Sequence, residues 1–441
     1  MAKVLFMRSP RNGIARDHCR KWSDRIDLWM TLAAVAIATL LIVIATEAHA
    51  QTYQVIHNFT GGADGGYPSA TLTLDRAGNL YGTASGNGIN DGGTVFKLAH
   101  AGSGWILTPL YDFQGGYDGH NPDSPVTIGP DGNLYGTTLD GGYTQGAYCD
   151  EGGCGVVYRV GPPATAPPSV LTPWRETVLH AFVGPPTDGD QPAYGALTFD
   201  HAGNLYGTAE FGGTGGFGIV YELTPSGGDW TESVLYNFSL GSSGEQPESG
   251  VVMDGAGNIY GTASEGGFNG NGDGVVYELS PSQNGWVETI LHTFGGGSDG
   301  GLVLAGLTMD LAGNLYGATY VGGVNNGGLI YELSPSSGGW TYHVLYSLNG
   351  SNGSGPVESL TLDAAGNLYG TAFGDGLEDA GMVFKLSQAN GAWTLTDLHN
   401  FAFDVAWFPI GGVTLDANGN LYGTASNGGA YGHGIVWEIT P

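Results

Sequence analysis

Along most of the chain, apolar and polar residues alternate over short stretches that give way to clusters of Gly, Asn, Asp and Ser. One unit shows the pattern in full: "GLTMD" (Gly306–Asp310), a turn-like "LAGN", "LYGAT", the Gly-rich "YVGGVNNGG", "LIYEL" (Leu329–Leu333), "SPSSGG" and "WTYHVLYSL" (Trp340–Leu348). A period of two in segments rich in Val, Ile, Leu, Tyr and Thr predicts strands, and no helical period competes with it. The unit recurs. The phrase "GN[LI]YG[TA]" begins at Gly78, Gly132, Gly203, Gly257, Gly313, Gly366 and Gly419, at steps of 54, 71, 54, 56, 53 and 53. Four strands repeated seven times predict an all-β chain folded as a seven-bladed β-propeller, with four antiparallel strands per blade.

The ends of the repeat array are out of phase. The fourth-strand segment ends near Phe59, Phe113, Phe182, Phe238, Phe294, Leu348 and Phe401. The first copy precedes any first strand, and the last unit stops after its third, "GIVWEITP". Placing the N-terminal strand beside the C-terminal three closes the last blade from both ends of the chain and leaves no open edge between first and last blades. Six fourth strands open with Trp (Trp105, Trp174, Trp230, Trp286, Trp340, Trp393), and Gln51 falls at the seventh such site.

The first 50 residues have a different character. Seven of the 12 Lys and Arg residues lie there, followed by an apolar run from Leu28 to Thr46 and small residues at Ala48 and Ala50. This predicts a signal peptide over 1–50, cleaved at the register that opens the first strand, and a single propeller domain over 51–441. The other reading is a retained anchor, since the run is long enough to span a bilayer. The chain is therefore expected to be secreted or periplasmic.

Residues 51–441 keep five of the basic and 37 of the acidic residues, a formal charge of −32. Such a chain is repelled by nucleic acid and by anionic lipid, so neither is an expected partner, nor is a membrane after cleavage. Cations and neutral ligands such as sugars are easier partners, and a monomer is expected. The longest repeat, the second, carries Cys149 and Cys154 in "CDEGGC" and a Pro-rich insert before Trp174. In a secreted chain these two cysteines predict a local disulfide.

The repeated phrase is expected to build rather than react. Asp75, Asp200, Asp254, Asp310, Asp363 and Asp416 open the turn; the second repeat has Gly129 there and moves its acid to Asp131. A short carboxylate at that place accepts backbone N–H groups, and Gly-Asn supplies positive φ. A bare glycine beside a large ring implies packing complementarity. His57, His180, His292 and His399 share one repeat position with Tyr111, Tyr236 and Tyr346. One per blade, they are too dispersed to share an ion, and no metal ligands are expected among them. No nucleophile elbow, phosphate loop or HExxH occurs, and "GTGGFG" (Gly213–Gly218) has no helix after it.

The composite pattern "DGxxP…LxxDxxGNLYGTxxxGG…GxVYEL" over essentially all of 51–441 resembles the GloVer tandem-repeat family of secreted bacterial β-propeller proteins. It is more distantly similar to two-component-regulator propeller repeats. The resemblance implies a propeller and secretion, and carries over no catalytic residue.

Function is expected at the face bearing the most variable loops. There "GADGGYP", "GYDGHNP", "PTDGDQP" and "GSDGG" place Asp64, Asp118, Asp188 and Asp299. These read either as turn chemistry or as a ring of carboxylates near the axis that binds a cation, calcium included, or sugar hydroxyls. His120 beside Asp118 is a candidate acid–base pair. "FAFDVAWFPI" brings Asp404, Trp407 and Phe408 together. Aromatics beside carboxylates suit stacking on sugar rings, and equally Trp407 can plug the blade junction. The expected function is a non-catalytic binding or scaffold protein for a glycan or a protein, with no catalytic residue and no cofactor beyond the calcium candidate. The alternative is a polysaccharide-active lyase or hydrolase on the same scaffold.

Overall fold

The computed structural model describes residues 51–441 except 103, 143–148, 150–151, 163–173, 193, 268–271, 375 and 377. The segment expected to be a signal peptide and most of the Pro-rich insert thus lie outside the described residues.

Each repeat forms one antiparallel sheet. In blade 5 its strands are Thr308–Met309, Leu315–Thr319, Leu329–Ser336 and Gly339–Ser347, hydrogen-bonded in that order. The repeated phrase makes the first hairpin. Gly313 N–H donates to Asp310 O, and Asp310 N–H to Asn314 O. Gly313 takes φ +85°, the left-handed residue that ends such a three-residue loop. The expectation that the asparagine would also turn left-handed fails: the glycine alone supplies positive φ, and Asn314 instead tethers the acid. The Asp310 carboxylate accepts from Ala312 N–H (2.8 Å), Asn314 N–H (2.9 Å), the Asn314 side-chain amide (2.8 Å) and the Tyr316 hydroxyl (3.3 Å). Burial alone would raise this carboxyl, yet the hydrogen bonds hold it below its usual range. Asp131 does the same work in blade 2, accepting from Asn133 and from Tyr135.

The bare glycine of the phrase faces a ring on the third strand. Cross-strand partners are Gly82–Phe96, Gly136–Tyr158, Gly207–Tyr221, Gly261–Tyr277, Gly317–Tyr331, Gly370–Phe384 and Gly423–Trp437. A Cβ at Gly317 would lie 2.3 Å from Tyr331 Oη, and one at Gly423 2.2 Å from the Trp437 ring. The seven rings are fully buried. A methyl group there would overpack the blade, at a cost of about 1–3 kcal/mol.

The threonines of the strands link the blades. On the first strands, Thr73, Thr127, Thr198, Thr308, Thr361 and Thr414 each donate to a backbone carbonyl of the next blade. Thr414 of blade 7 donates to Leu72 of blade 1, so this inner belt passes through the junction where the chain's two ends meet. Thr83, Thr208, Thr262, Thr371 and Thr424 form a second belt through the second strands.

The closure is as expected. Thr52–Asn58 pairs antiparallel with Ile435–Thr440, from Thr52 opposite Thr440 to Asn58 opposite Ile435, as the outer strand of blade 7. Each outer strand also carries a bulge, which leaves Ile56, Leu110, Leu179, Leu235, Leu291, Leu345 or Leu398 without a cross-strand partner. A bulge bends the strand and re-aims the next side chain. That next residue is the His or Tyr of the repeat.

Removing residues 52–60 strips blade 7 of its outer strand and exposes an open edge. The truncated protein is expected to lose its single cooperative melt, or to melt more than about 10 °C lower, by circular dichroism.

Candidate functional site

The loops joining one blade to the next share a face with the loops between second and third strands, and the two sets pair with each other. On this face a residue with left-handed φ recurs: Tyr67 (58°), Asn121 (56°), Gln191 (55°), Gln246 (57°), Leu302 (51°) and Phe408 (61°). Bulky residues avoid that conformation. Here a hydrogen bond holds each one, from its own N–H to a carbonyl in the preceding blade: Tyr67 to His433 (2.8 Å), Asn121 to Gly92 (3.2 Å), Gln191 to Cys154 (3.0 Å), Gln246 to Phe217 (3.0 Å), Leu302 to Asp273 (3.0 Å) and Phe408 to Ala380 (3.2 Å). A proline follows in most repeats. The rim is therefore fixed in backbone conformation, which presets whatever stands next to it.

What stands next is one position per repeat, six residues before the turn-opening residue: Ser69, Asp123, Tyr194, Glu248, Leu304, Val357 and Ile410. All seven line one cavity of about 270 Å³, together with Tyr320, Phe373 and Glu358. A cavity touched by every blade lies on the axis of the ring. Its two sides differ. Blades 1 to 4 contribute Ser69, Asp123, Tyr194 and Glu248, while blades 5 to 7 contribute Leu304, Tyr320, Val357, Phe373 and Ile410, with Glu358 of blade 6 the one acid on that side.

The polar side is crowded with acids. Burial pushes Asp123 up, partly offset by a hydrogen bond from Ser69. Burial raises Glu248 too, against a hydrogen bond from Ser264 (2.6 Å). Glu210 occupies the repeat position of Tyr320 and Phe373; burial, then Glu248, Asp190 and Glu265, push it up to about 7. Tyr194 is pushed up to about 12, by burial and then by Asp123, Glu210 and Glu248. Glu358 stands where the other repeats have Ala, Ser or Gly, and burial pushes it up to about 7. It also lines a second cavity deeper on the axis, walled by the first strands at Thr73, Thr198, Val252 and Thr361.

The sequence-derived candidates fall elsewhere. Asp64, Asp118, Asp188 and Asp299 do not ring the axis. Each folds back onto the outer strand it follows: Asp64 to His57 (3.1 Å), Asp118 to the Tyr111 hydroxyl (2.8 Å), Asp188 to His180 (3.1 Å) and Asp299 to His292 (3.2 Å). They also cap the turn, as Gln114 N–H donating to Asp118 shows (2.9 Å). The turn reading, not the axial one, describes them. His120 is not paired with Asp118 but lies 3.6 Å from Asp140, because its backbone bridges to that residue in the second–third loop. Asp404 is exposed, and Trp407 packs against the blade 7 core with its ring 5.7 Å from Phe403. Phe408 stacks on Phe373 (4.5 Å), and so backs the apolar side of the bowl. Cys149 and Cys154 form the expected disulfide, a mark of an oxidising compartment.

The outer seams carry a second set of groups. The residue two after each fourth-strand tryptophan, or after Gln51 in blade 7, faces the His or Tyr of the blade before. Tyr236 donates to Glu288 (2.9 Å), His292 stacks on Tyr342 (3.9 Å) and His399 on Tyr53 (3.6 Å). His180 and Asp188 meet Glu232, with one ligand atom from each within 4.8 Å of the others. Burial pushes Glu288 up to about 7, Glu232 up to about 7 with Asp188 adding to it, and Glu176 up to about 8 with Asp118 adding to it. Burial lowers His57 and His292 against their aspartates, and takes His399 down to about 4.

Fold and site together define a closed seven-bladed β-propeller with a two-sided axial bowl. The Gloeobacter/Verrucomicrobia repeat matches residues 42–176, 150–342 and 270–441, and the chain belongs to that family. No curated protein sequence matches the chain. Among solved structures it is similar to one described as the calcium structure of Trichoderma reesei carbohydrate-active enzymes family AA12. The TM-score is 0.41 at 12% identity, covering 89% of this chain and 96% of that one. At that identity and score the likeness bears on neither ligand nor activity.

The raised carboxyls set a pH dependence. Glu176, raised to about 8, and Glu210, Glu232, Glu288 and Glu358, raised to about 7, bind a proton more tightly folded than unfolded, so their contribution to stability falls as pH rises from the unfolded value through the folded one. The lowered histidines oppose this only below about 6.5. Between pH 6.5 and 8.5 the melting midpoint is therefore expected to fall. Glu176→Gln should flatten that fall, as thermal melts across the range would register; a midpoint that rises contradicts it.

Proposed function

We propose that this is a secreted, non-catalytic binding protein whose ligand is a saccharide held in the axial bowl. The observation that carries the reading is the bowl's division. Sugar rings present hydroxyls around an apolar CH face, and such ligands are taken by sites with a few fixed polar groups opposite aromatic surface. Asp123, Glu248 and Tyr194 offer the polar partners, and Tyr320 and Phe373 the rings. The acidic side favours neutral or amino sugars over uronates, because like charges disfavour a further anion. Trp407 lies outside the cavity lining and would contribute less than Phe373. Secretion is supported by the disulfide.

A second reading rests on Glu210, whose carboxyl is pushed up to about 7 by burial and then by the charge of Glu248. One carboxyl near 7 beside another is what a glycoside hydrolase requires of its acid and its partner. Tyr194, raised rather than lowered, is poorly suited to the base of a lyase.

A panel of neutral, amino and acidic polysaccharides separates the readings. The expected result is retention of a neutral or amino glycan without released fragments. Phe373→Ala and Glu248→Gln should each weaken it at least tenfold, with Glu248→Gln leaving the melting midpoint unchanged and Phe373→Ala lowering it by no more than a few degrees through its lost stacking on Phe408. Released fragments lost in Glu210→Gln would replace the binding reading with the hydrolase. Retention of no glycan would overturn both.

A further inference from the structure

The seven outer seams are versions of one design, and comparing them isolates blade 2 against blade 3. A His–Asp pair also occurs at His57–Asp64 and at His292–Asp299, at 3.1 and 3.2 Å. Those pairs are explained by the turn they cap. In the next blade, the facing position holds Leu107 for the first and Tyr342, stacked on the imidazole, for the second. At Glu176 and Glu288 a glutamate fills the facing position, but it faces a tyrosine: Tyr111, whose hydroxyl donates to Asp118, and Tyr236, which donates to Glu288. Only at His180, among the described residues, do an imidazole, an aspartate and a facing glutamate converge. Asp188 is buried, held by N–H groups of Val183 (3.0 Å) and Gly189 (2.7 Å), with Oδ2 toward His180 Nε2. Glu232 Oε1 is shielded from solvent and has no hydrogen-bond partner, as is true of Glu176 Oε1 and Glu288 Oε1, so it is the His–Asp pair facing it that sets this seam apart.

We propose that His180 Nε2, Asp188 Oδ2 and the Glu232 carboxylate form a divalent transition-metal site that clamps the outer strand of blade 2 to that of blade 3. One imidazole with two carboxylates is a set that zinc accepts, and calcium, which takes six to eight oxygens, does not. Donor atoms within 4.8 Å of one another are already gathered, and small side-chain rotations bring them under the roughly 4.4 Å that two bonds of about 2.2 Å to one ion allow. Three protein ligands leave a fourth position for water. The His–Asp contact that serves as a hydrogen bond in the other seams would here be bridged by the ion. The site lies on the outer rim, apart from the bowl, and does not depend on the ligand assigned there.

The test uses the repeats' own substitutions, which this fold already accommodates. Purified protein stripped with chelator is titrated with zinc by calorimetry, and its melting midpoint is followed. The wild type is expected to bind one equivalent and to melt several degrees higher with zinc. Glu232→Leu, matching Leu107, and His180→Tyr, matching Tyr111 and Tyr236, should each weaken zinc at least tenfold while keeping the metal-free midpoint within a few degrees. His292→Tyr should leave zinc binding unchanged. No binding by the wild type, or equal binding by Glu232→Leu and His180→Tyr, would overturn the site.

Discussion

The pairing of Thr52–Asn58 with Ile435–Thr440 is the constraint on which the rest of the structure depends. A propeller is a sheet-by-sheet ring, and a ring left open has two blade faces without neighbours. Here the last blade is completed across the chain's ends, and the inner belt of threonine hydroxyls crosses the same junction from Thr414 to Leu72. Because the first strands are held in a circle, one position in each repeat points at a common axis. The bowl is a consequence of closure.

Within each blade the repeated phrase is a packing device. The aspartate ties the turn, the tyrosine hydroxyl reports to that aspartate, and the glycine opens space for a ring from the third strand. Invariance there leaves freedom elsewhere. The position six before the turn can be Ser, Asp, Tyr, Glu, Leu, Val or Ile because it faces the cavity rather than a neighbouring blade. Left-handed backbone at the rim, held by hydrogen bonds to the adjacent blade, keeps these seven side chains in fixed places while their chemistry varies. Seven near-copies thus make one asymmetric site, polar and acidic on one side and, Glu358 apart, apolar and aromatic on the other.

The fold was legible because period-two patterning, turn residues and a recurring unit all point the same way, and because the out-of-phase ends admit one economical closure. The site was not. Asp64, Asp118, Asp188 and Asp299 drew attention as acids in variable loops, but the bulge before each His or Tyr turns that side chain toward them and fixes them at the outer seam. The bowl residues share no chemistry, so no motif announces them. The available signal was the opposite of a motif: a column of the repeat that is variable while the columns around it are not. The meeting of Glu232 with His180 was hidden for another reason. It joins two repeats across a seam, 52 positions apart, and the sequence places each in its own blade.

Hydrogen–deuterium exchange with and without a retained saccharide tests most directly whether the ligand sits where all seven blades meet. An axial ligand should slow exchange together in segments 67–70, 246–249, 355–358 and 408–411, which belong to different blades, while the outer strands are unaffected. Protection confined to one loop, to the outer seams or to the region around Cys154 would contradict an axial site.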